Sequence, residues 1–533
     1  MIGTKPGPRR TLSLASTPDA SVLTSRPPWH IAWAEVVLIL LVFAAQAGWP
    51  APEPNEPHYL GKAKHFWDPG WAPDDFFFAS ADSHRVFYVT IGWLSHYMPL
   101  ATLAWCGRAL TWFLLAWSWR RLSWAVVPSP GWAVLSGLIF LSLNVCCHWA
   151  GEWVIGGFEA KGLAYALVFA ALAALIGERW NRSWLLLGAA SALHVLVGGW
   201  SAVAVAWSWL TRRGESSPSR KMLLGIVGGA LLAFFGLVPA LALNWNVAPA
   251  VVVEANDIYV FERLKHHLVP QEFPPWLIAR HLLLIIGWLV LARHAGGSPK
   301  VHRLGGVVLG ALAIEFGGLA ISLAADAYPA WSAGLLRLYW FRLSDVMLPV
   351  GVALAGVAAT AGMARRRWTA VAGWIALCLT LAAYHRQEYA IVRHFHQTPR
   401  ADKSGKVVNA ADWRDACEWV AGHTPADATF LTPRLAQTFT WHAGRGQVAS
   451  WKDIPQDAAA IVEWWRRINA IHGTRDPTWQ GEWYDSLSLR STKTLRRFGE
   501  KYKARYLVTE SKPRLALPRL YENNSYAVYE LTR

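Results

Sequence analysis

The stretch IAWAEVVLILLVFAAQAGWPAPEPNEPHYLGKAK, residues 31–64, decides the fold class. Its first half is an apolar run long enough to cross the hydrocarbon core of a bilayer as a helix. A polar segment that contains Glu56 follows directly. The stretch therefore predicts a transmembrane helix that leads into a loop at the membrane surface. Cleavage of a signal peptide after Ala45-Gln46-Ala47 is the alternative, and in both cases the loop lies outside the cytoplasm.

The whole chain has the composition of a membrane protein. Of its 533 residues, 54% are hydrophobic and only 16% are charged, whereas soluble domains carry about 25% charged residues. Its 34 tryptophans agree, because indole rings favour the membrane interface. The net charge of +16 comes mostly from short stretches between apolar runs, with no basic stripe on a soluble module. We therefore predict the lipid bilayer as a partner and no nucleic acid.

The apolar runs predict a polytopic α-helical membrane protein with about eleven transmembrane helices. They fall near residues 31–49, 101–119, 131–148, 162–177, 183–197, 199–211, 222–243, 276–292, 304–324, 335–361 and 368–385. The fifth and sixth runs meet at Gly198-Gly199, which indicates a tight outer turn or a pair of half-helices. The segment 86–98 is predicted to be a helix that lies on the outer surface.

Lys and Arg cluster in every second connection between the runs, and acidic residues cluster in the others. Because basic connections stay in the cytoplasm, this pattern orients the chain in the cytoplasmic (inner) membrane. It predicts a cytoplasmic N-terminal tail at 1–30 and a transmembrane domain at 31–397 with outer loops at 50–100 and 244–275. An extracytoplasmic α/β domain follows at 398–533.

The C-terminal domain is predicted from its change of composition and its local patterns. A helix opens at Asp412-Trp413-Arg414 and ends near Gly422, and a second helix covers 459–468. Short strands are predicted at 428–431, 505–509 and 527–531, because apolar and polar residues alternate there.

The first outer loop holds most of the residues that could carry chemistry. Glu56 comes early in it, followed by Asp74 and Asp75 beside three phenylalanines, and then by Asp82 and His84. Carboxylates held beside aromatic rings at a membrane surface can act as general bases. They can also bind a divalent cation such as Mg²⁺ or Mn²⁺. The alternative is a solvated loop whose acids only follow the charge asymmetry.

Cations that could bind a phosphate lie in other outer segments. Arg337 and Arg342 fall at the start of the tenth run, where an arginine is costly and marks a functional site by default, and guanidinium binds phosphate through paired hydrogen bonds. The alternative is that Arg337 snorkels to the interface and that Arg342 pairs with Asp345. Further cations lie in the 244–275 loop: Arg263, His266 and His267. At the outer end of the fourth helix, Glu159 and Lys161 could line the cavity or pair with each other.

The outer loop resembles that of GT-C-type glycosyltransferases, which use polyprenyl-phosphate-linked sugars. Glu56 stands where that family places an acidic residue, with Tyr59 and Ala63 spaced as in its pattern. Asn55 departs from the family, which often has Asp there. The segment 413–428 is similar to the start of the soluble domain in such enzymes. The sequence of residues 74–84 is similar to that of a bacterial branch of these enzymes.

The resemblance implies an inverting transfer of a sugar from a polyprenyl-phosphate donor to a glycan, lipid or protein acceptor outside the cytoplasm. It makes Glu56 the expected general base, with Asp74 and Asp75 as alternates or metal ligands. The expected substrate-binding residues are Tyr59, Asp82, His84, Glu159, Lys161, Arg263, His266, His267, Arg337 and Arg342.

Two other classes of function stay open from the residues alone. A transporter or lipid-handling protein without covalent chemistry could use Arg108, Arg342 and Asp345 along a translocation path. A membrane-anchored binding or assembly protein would act through the C-terminal domain instead.

Overall fold

The computed structural model describes residues 28–211, 219–295, 297–363, 365–397, 410–474 and 483–531. The rest of the predicted N-terminal tail, the predicted cytoplasmic arginines 212–213 and the first residues of the predicted C-terminal domain lie outside these described ranges. Within them, a helical membrane part is followed by a smaller α/β unit, residues 410–531.

Ten of the eleven predicted apolar runs correspond to helices in the described chain. The helices of the membrane part are α1 Trp29–Ala47, α2 Glu56–Trp67, α3 Phe76–Ala79, α4 Arg85–Ile91, α5 Leu100–Val126, α6 Trp132–Cys147, α7 Ala160–Ile176, α8 Trp180–Leu193, α9 Val195–Leu210, α10 Ser219–Ala242, α11 Pro249–Asp257, α12 Lys265–Leu268, α13 Pro275–His294, α14 Pro299–Leu323, α15 Pro329–Leu336, α16 Arg342–Ala361 and α17 Arg367–Gln397.

By length and composition, seven of the described helices can cross a membrane: α1, α5, α10, α13, α14, α16 and α17. Helices α6, α7 and α9 are shorter but also apolar. The fold class predicted from the sequence, a multi-spanning helical membrane protein with a C-terminal α/β unit, is confirmed. The surface helix predicted at 86–98 corresponds to α4 and the 3₁₀ turn that follows it, Gly92–His96.

The tenth run differs from the single helix that the sequence predicts. The chain leaves the helical path between α15 and α16, and Tyr339 adopts a positive φ of 56°. Carbonyl groups freed by such a break need partners inside a membrane protein. The indole Nε1 of Trp200 donates to the Leu338 carbonyl at 2.7 Å. The break places Arg342 at the N-terminus of α16 rather than within a continuous helix.

The turn between α8 and α9 lies at His194 and not at the predicted Gly198-Gly199. His194 is extended, and its Nδ1 accepts the Val197 N–H at 3.4 Å. Gly198 is helical, and a Cβ there would fall 2.1 Å from the Ser191 nitrogen. This glycine therefore serves the close packing of α9 on α8, which local sequence cannot distinguish from a turn.

The α/β unit contains a five-stranded sheet with the order β2-β1-β3-β5-β4. Strand β1 is parallel to β2 and β3, and β5 is antiparallel to β3 and β4. The elements are α18 Ala410–His423, β1 Thr429–Leu431, α19 Phe439–Ala443, β2 Gly446–Gln447, α20 Ala458–His472, α21 Thr492–Tyr502, β3 Tyr506–Glu510, β4 Arg519–Glu522 and β5 Tyr526–Glu530. The predicted strands correspond to β1, β3 and β5.

Helices α8 and α10 cross at glycines, as membrane helices often do when backbones approach closely. A Cβ at Gly188 would fall 2.0 Å from the Gly229 carbonyl oxygen. The Gly229 carbonyl oxygen belongs to the backbone, so it cannot move away by a rotamer change as a side-chain atom could.

Gly188→Val is therefore expected to force α8 and α10 apart and to lower the free energy of unfolding by about 1–3 kcal/mol. Thermal unfolding of the purified protein in detergent measures this. Gly287→Val is the matched control, since a Cβ at Gly287 on α13 meets nothing within 4 Å. Equal unfolding temperatures for the two variants would contradict the close crossing.

Candidate active site

Glu56, the general base expected from the sequence, is fully buried at the start of α2. Its Oε1 accepts from Arg108 Nε at 2.7 Å and from the Phe158 N–H at 2.8 Å. Its Oε2 accepts from Arg108 Nη2 at 2.6 Å and from the Glu53 N–H at 2.7 Å. Arg108 Nη1 also donates to the Trp49 carbonyl at 2.5 Å.

A carboxylate has about four lone-pair positions, and on Glu56 all four have donors. A substrate hydroxyl therefore finds no acceptor there. The arrangement favours a structural role, in which Glu56 and Arg108 fasten the first outer loop to α5. The general-base role stays a sequence prediction without geometric support.

Asp74 and Asp75 do not converge on a common ligand. Asp74 is exposed, whereas Asp75 is buried and caps α3 by accepting the Phe78 N–H at 3.1 Å. The other oxygen of Asp75 accepts from Thr440 Oγ1 at 3.0 Å and from the Gln447 N–H at 3.1 Å. Asp75 thus joins the outer loop to the α/β unit. Among the described residues, no group of three or more His, Cys, Asp or Glu is placed to hold a metal ion.

Asp82, His84 and Lys62 form a buried cluster of charged and polar side chains. Asp82 Oδ1 accepts from the His84 N–H and lies 2.8 Å from His84 Nδ1, and Lys62 Nζ lies 3.6 Å from Oδ2. Burial alone would raise the pKa of Asp82, but the charges of His84 and Lys62 outweigh it and hold that pKa far below the usual range. Asp82 therefore stays ionised and orients His84, whose ring lies beside Tyr59 and His194.

The loop of residues 148–154 is held by hydrogen bonds from side chains on α6 and α16. Asp345 accepts the N–H groups of Trp149, Ala150 and Glu152 at 2.8, 3.0 and 3.2 Å. Asn144 accepts the Val154 N–H at 3.0 Å and donates to the carbonyls of Glu152 and Asp345. Asp345 is therefore not the partner of Arg342 that the sequence allowed.

Gly151 lets the same loop pass His267. Its φ is +77°, and a Cβ there would lie 2.5 Å from the His267 ring. His267 Nδ1 lies 2.8 Å from the Ala150 carbonyl oxygen, so His267 supports the loop rather than facing an open site.

Glu152 lies in this loop, and its carboxylate pairs with two cations. Its Oε2 lies 3.4 Å from Arg342 Nε and 3.8 Å from Lys161 Nζ, and this oxygen has no hydrogen-bond partner among the described residues. Lys161 also lies 3.5 Å from Glu159, which accepts from Asn55 at 3.1 Å. In contrast to the oxygens of Glu56, Oε2 of Glu152 can still accept a hydrogen bond from a further group.

A cavity adjoins Glu152 and Arg342. Its polar lining comes from Glu152, Arg342, Tyr165, Tyr339 and His194, and its apolar lining from Leu196, Val197, Trp200 and Leu343. The first turns of α9 and α16 border it, and Tyr165 projects from near the start of α7. The N-termini of two helices, α9 and α16, therefore border one cavity, and helix N-termini carry partial positive charge that favours anions.

The remaining predicted residues are distributed around the contact between the membrane part and the α/β unit. Arg263 Nε donates to the Trp451 carbonyl at 2.8 Å. Arg337 donates to Asn256 Oδ1 at 2.8 Å and to the Gln456 carbonyl. His266 is exposed, and Tyr59 is half-buried beside His84.

Sequence reasoning missed the importance of Glu152 and Asn144. From the sequence, Glu152 is one of several acids in a predicted outer connection, and Asn144 is one polar residue within an apolar run. Neither position predicts a role at a site. The glycines and tryptophans around Glu152 indicate close packing there. They do not predict which residues Glu152 contacts.

The chain is only distantly similar to known proteins. A family model described as a domain of unknown function, DUF6798, matches residues 411–471, which run from α18 to α20. No curated protein matches the chain in sequence.

Several solved structures have a similar arrangement. The oligosaccharyltransferase of Archaeoglobus fulgidus, in complex with zinc and sulfate, shares 13% identity at a TM-score of 0.44 over 90% of this chain and 67% of that one. ArnT from Cupriavidus metallidurans bound to undecaprenyl phosphate shares 10% at 0.40 over 95% and 98%. Its apo form shares 11% at 0.40 over 95% and 97%. At these values the activity has to be inferred from the chain's own residues.

Arg108→Met is expected to leave the Glu56 carboxylate buried without its counter-ion and to lower the free energy of unfolding by about 3–5 kcal/mol. Thermal unfolding in detergent measures the loss. Asp74→Asn, which removes an exposed acid of the same loop, should leave the unfolding temperature unchanged. A stable Arg108→Met protein would show that the pair does not hold the loop.

The contact between the outer loop and the α/β unit should depend on pH. Burial raises the pKa of Asp75 to about 6, and burial likewise raises the pKa of Asp453 to about 6. Because each folded pKa lies above the unfolded value near 4, protonation favours the folded state. This stabilisation is complete below pH 4 and is lost as the pH rises through 6.

Asp75→Asn and Asp453→Asn should therefore show a smaller fall of unfolding temperature between pH 4.5 and pH 7 than the unmodified protein. Asp74→Asn should retain the full fall. Parallel pH profiles for all four proteins would argue against titration of these two carboxyls at the contact.

Proposed function

We propose that the chain is a membrane glycosyltransferase. It moves a sugar from a polyprenyl-phosphate-linked donor to an acceptor hydroxyl on the extracytoplasmic side of the inner membrane, with inversion at the anomeric carbon. The single observation that supports this most is the cavity where Arg342 and the incompletely bonded Glu152 meet at the outer ends of apolar helices.

The donor phosphate fits the charge of this cavity. Arg342 is a guanidinium, which binds phosphate oxygens in pairs, and Lys161 adds a second cation on the far side of Glu152. The partial positive charges at the N-termini of α9 and α16 act in the same direction. The apolar side chains of Leu196, Val197 and Trp200 line the same cavity, so apolar surface adjoins the cations that would hold the phosphate.

Glu152 is our candidate for the general base. When the phosphate occupies Arg342 and Lys161, the Glu152 carboxylate loses its counter-ions and becomes free to accept a proton. The acceptor hydroxyl passes its proton to Glu152 Oε2 while its oxygen forms a bond to the anomeric carbon. The bond from that carbon to the phosphate oxygen breaks, and the cations stabilise the charge on the departing lipid phosphate.

The residues do not fit a divalent metal at this site. Glu152 lies between two cations, and Asp75, the predicted metal ligand, is bonded to Thr440 and Gln447. The mechanism therefore contains no metal step. The transporter alternative needs Arg108 along a translocation path. Arg108 is instead hydrogen-bonded to Glu56 and to the Trp49 carbonyl, which argues against that role.

Glu152→Gln is expected to lower kcat by about 10²–10⁴-fold, because it removes the proton acceptor but preserves shape. The assay follows release of polyprenyl phosphate from polyprenyl-phosphate sugars by the full chain in lipid nanodiscs, with an envelope extract as acceptor. Donor binding to the variant should remain.

Arg342→Lys should instead raise the KM for the donor, since lysine cannot form the paired contact. Glu272→Gln is the control, because Glu272 is half-exposed and pairs with Lys265. Transfer by Glu152→Gln at the unmodified rate would overturn the assignment of the base.

A further inference from the structure

Three cations surround Trp451 where the 244–275 loop meets the α/β unit. They are Arg263, Arg434 and Lys452, and all three side chains are half-buried. None is within ion-pair distance of a carboxylate among the residues that the structure describes. We call this group the Trp451 cluster.

The cluster is built on the main chain of Trp451. The Trp451 N–H donates to the Arg434 carbonyl at 2.8 Å, and the Trp451 carbonyl accepts from Arg263 Nε at 2.8 Å. The Cζ atoms of Arg263 and Arg434 lie 5.2 and 5.3 Å from the Trp451 ring centroid. Lys452 follows directly in sequence, so three positive side chains are brought together from two parts of the chain.

Asp453, which follows Lys452 in sequence, also contacts other groups. Asp453 Oδ2 accepts from Ser450 Oγ at 2.5 Å, and Oδ1 lies 3.9 Å from His58 Nδ1 in the first outer loop. Burial, followed by the charge of Arg263, lowers the pKa of Lys452 to about 8. Asp453 and Asp485 act on these cations from beyond ion-pair distance, so the like charges still repel one another. A bound anion would relieve that repulsion.

The cluster is continuous with the proposed donor site. Arg342 Cζ lies 3.7 Å from the Tyr339 ring centroid, and the Tyr339 hydroxyl lies 2.8 Å from the Tyr259 hydroxyl. Tyr259 and Arg263 share one π-helical turn, Ile258–Arg263, and such turns are frequent at functional sites. Cations thus extend from the cavity to the α/β unit.

We propose that the Trp451 cluster binds a phosphate-class anionic group of a substrate, separate from the phosphate held by Arg342. The inference rests on the proposed function for the identity of the reaction. It does not rest on Glu152, since an anion site can exist whatever the base is. The anion belongs either to an acidic acceptor or to a second phosphate of the donor.

Binding of inorganic phosphate to the full chain in phosphatidylcholine nanodiscs tests the site directly. The measurements are made in an Arg342→Gln background, which removes the donor phosphate site. Lys452→Gln and Arg434→Gln should each weaken the remaining binding at least about tenfold. Arg505→Gln is the matched control, because Arg505 is an exposed arginine of the same unit that pairs with Glu530, and it should bind as the background does.

Loss of all phosphate binding in Arg342→Gln alone, or unchanged binding in both cluster variants, would overturn the proposal. Unfolding temperatures close to the background show that the variants are folded. These outcomes do not depend on turnover, so they stand even when the Glu152 test fails.

Turnover by Lys452→Gln then identifies the source of the anion. A rise in KM for an acceptor that carries phosphate or carboxylate, with an unchanged KM for the donor, assigns the anion to the acceptor. A rise in KM for the donor alone assigns it to a second donor phosphate. Unchanged KM for both substrates would show that the cluster serves neither and would overturn its role in substrate binding.

Discussion

The ion pair between Glu56 and Arg108 is the interaction on which the rest of the arrangement depends. A charge taken out of water is costly unless it is paired and fully hydrogen-bonded, and here both conditions are met. The pair joins α2 to α5 and, through the Phe158 N–H, to the segment that leads into α7. It thereby fixes the first outer loop beside Glu159 and Lys161, and Asp75 extends the loop to the α/β unit.

The charged groups of the outer region fall into two kinds. Glu56, Asp75 and Asp345 have their oxygens occupied by N–H, O–H or guanidinium donors, and each holds parts of the chain together. Glu152 and Arg342 face each other at 3.4 Å without a hydrogen bond at Glu152 Oε2. Preorganised but incompletely bonded groups on a rigid frame are what a site needs to stabilise charge during a reaction.

Much of the fold followed from the sequence, because apolar length and periodicity are local properties. Ten of the eleven runs correspond to helices, the tenth is broken between α15 and α16, and strands β3 and β5 lie where they were predicted. The break at 337–341 was missed because it depends on Trp200 from another helix. The roles at the site were harder still. The position of Glu56 predicted a general base, and its bonds to the distant partners Arg108 and Phe158 favour a structural role instead. The general-base role stays a prediction.

The central claim is that the lipid phosphate binds at Arg342 and not beside Glu56. A cryo-electron microscopy map of the protein in nanodiscs with a non-hydrolysable polyprenyl-phosphate sugar analogue tests it most directly. We expect phosphate density within hydrogen-bonding distance of the Arg342 guanidinium, with the Glu56–Arg108 pair unchanged. Phosphate density against Arg108, with Glu56 displaced towards the sugar, would contradict it.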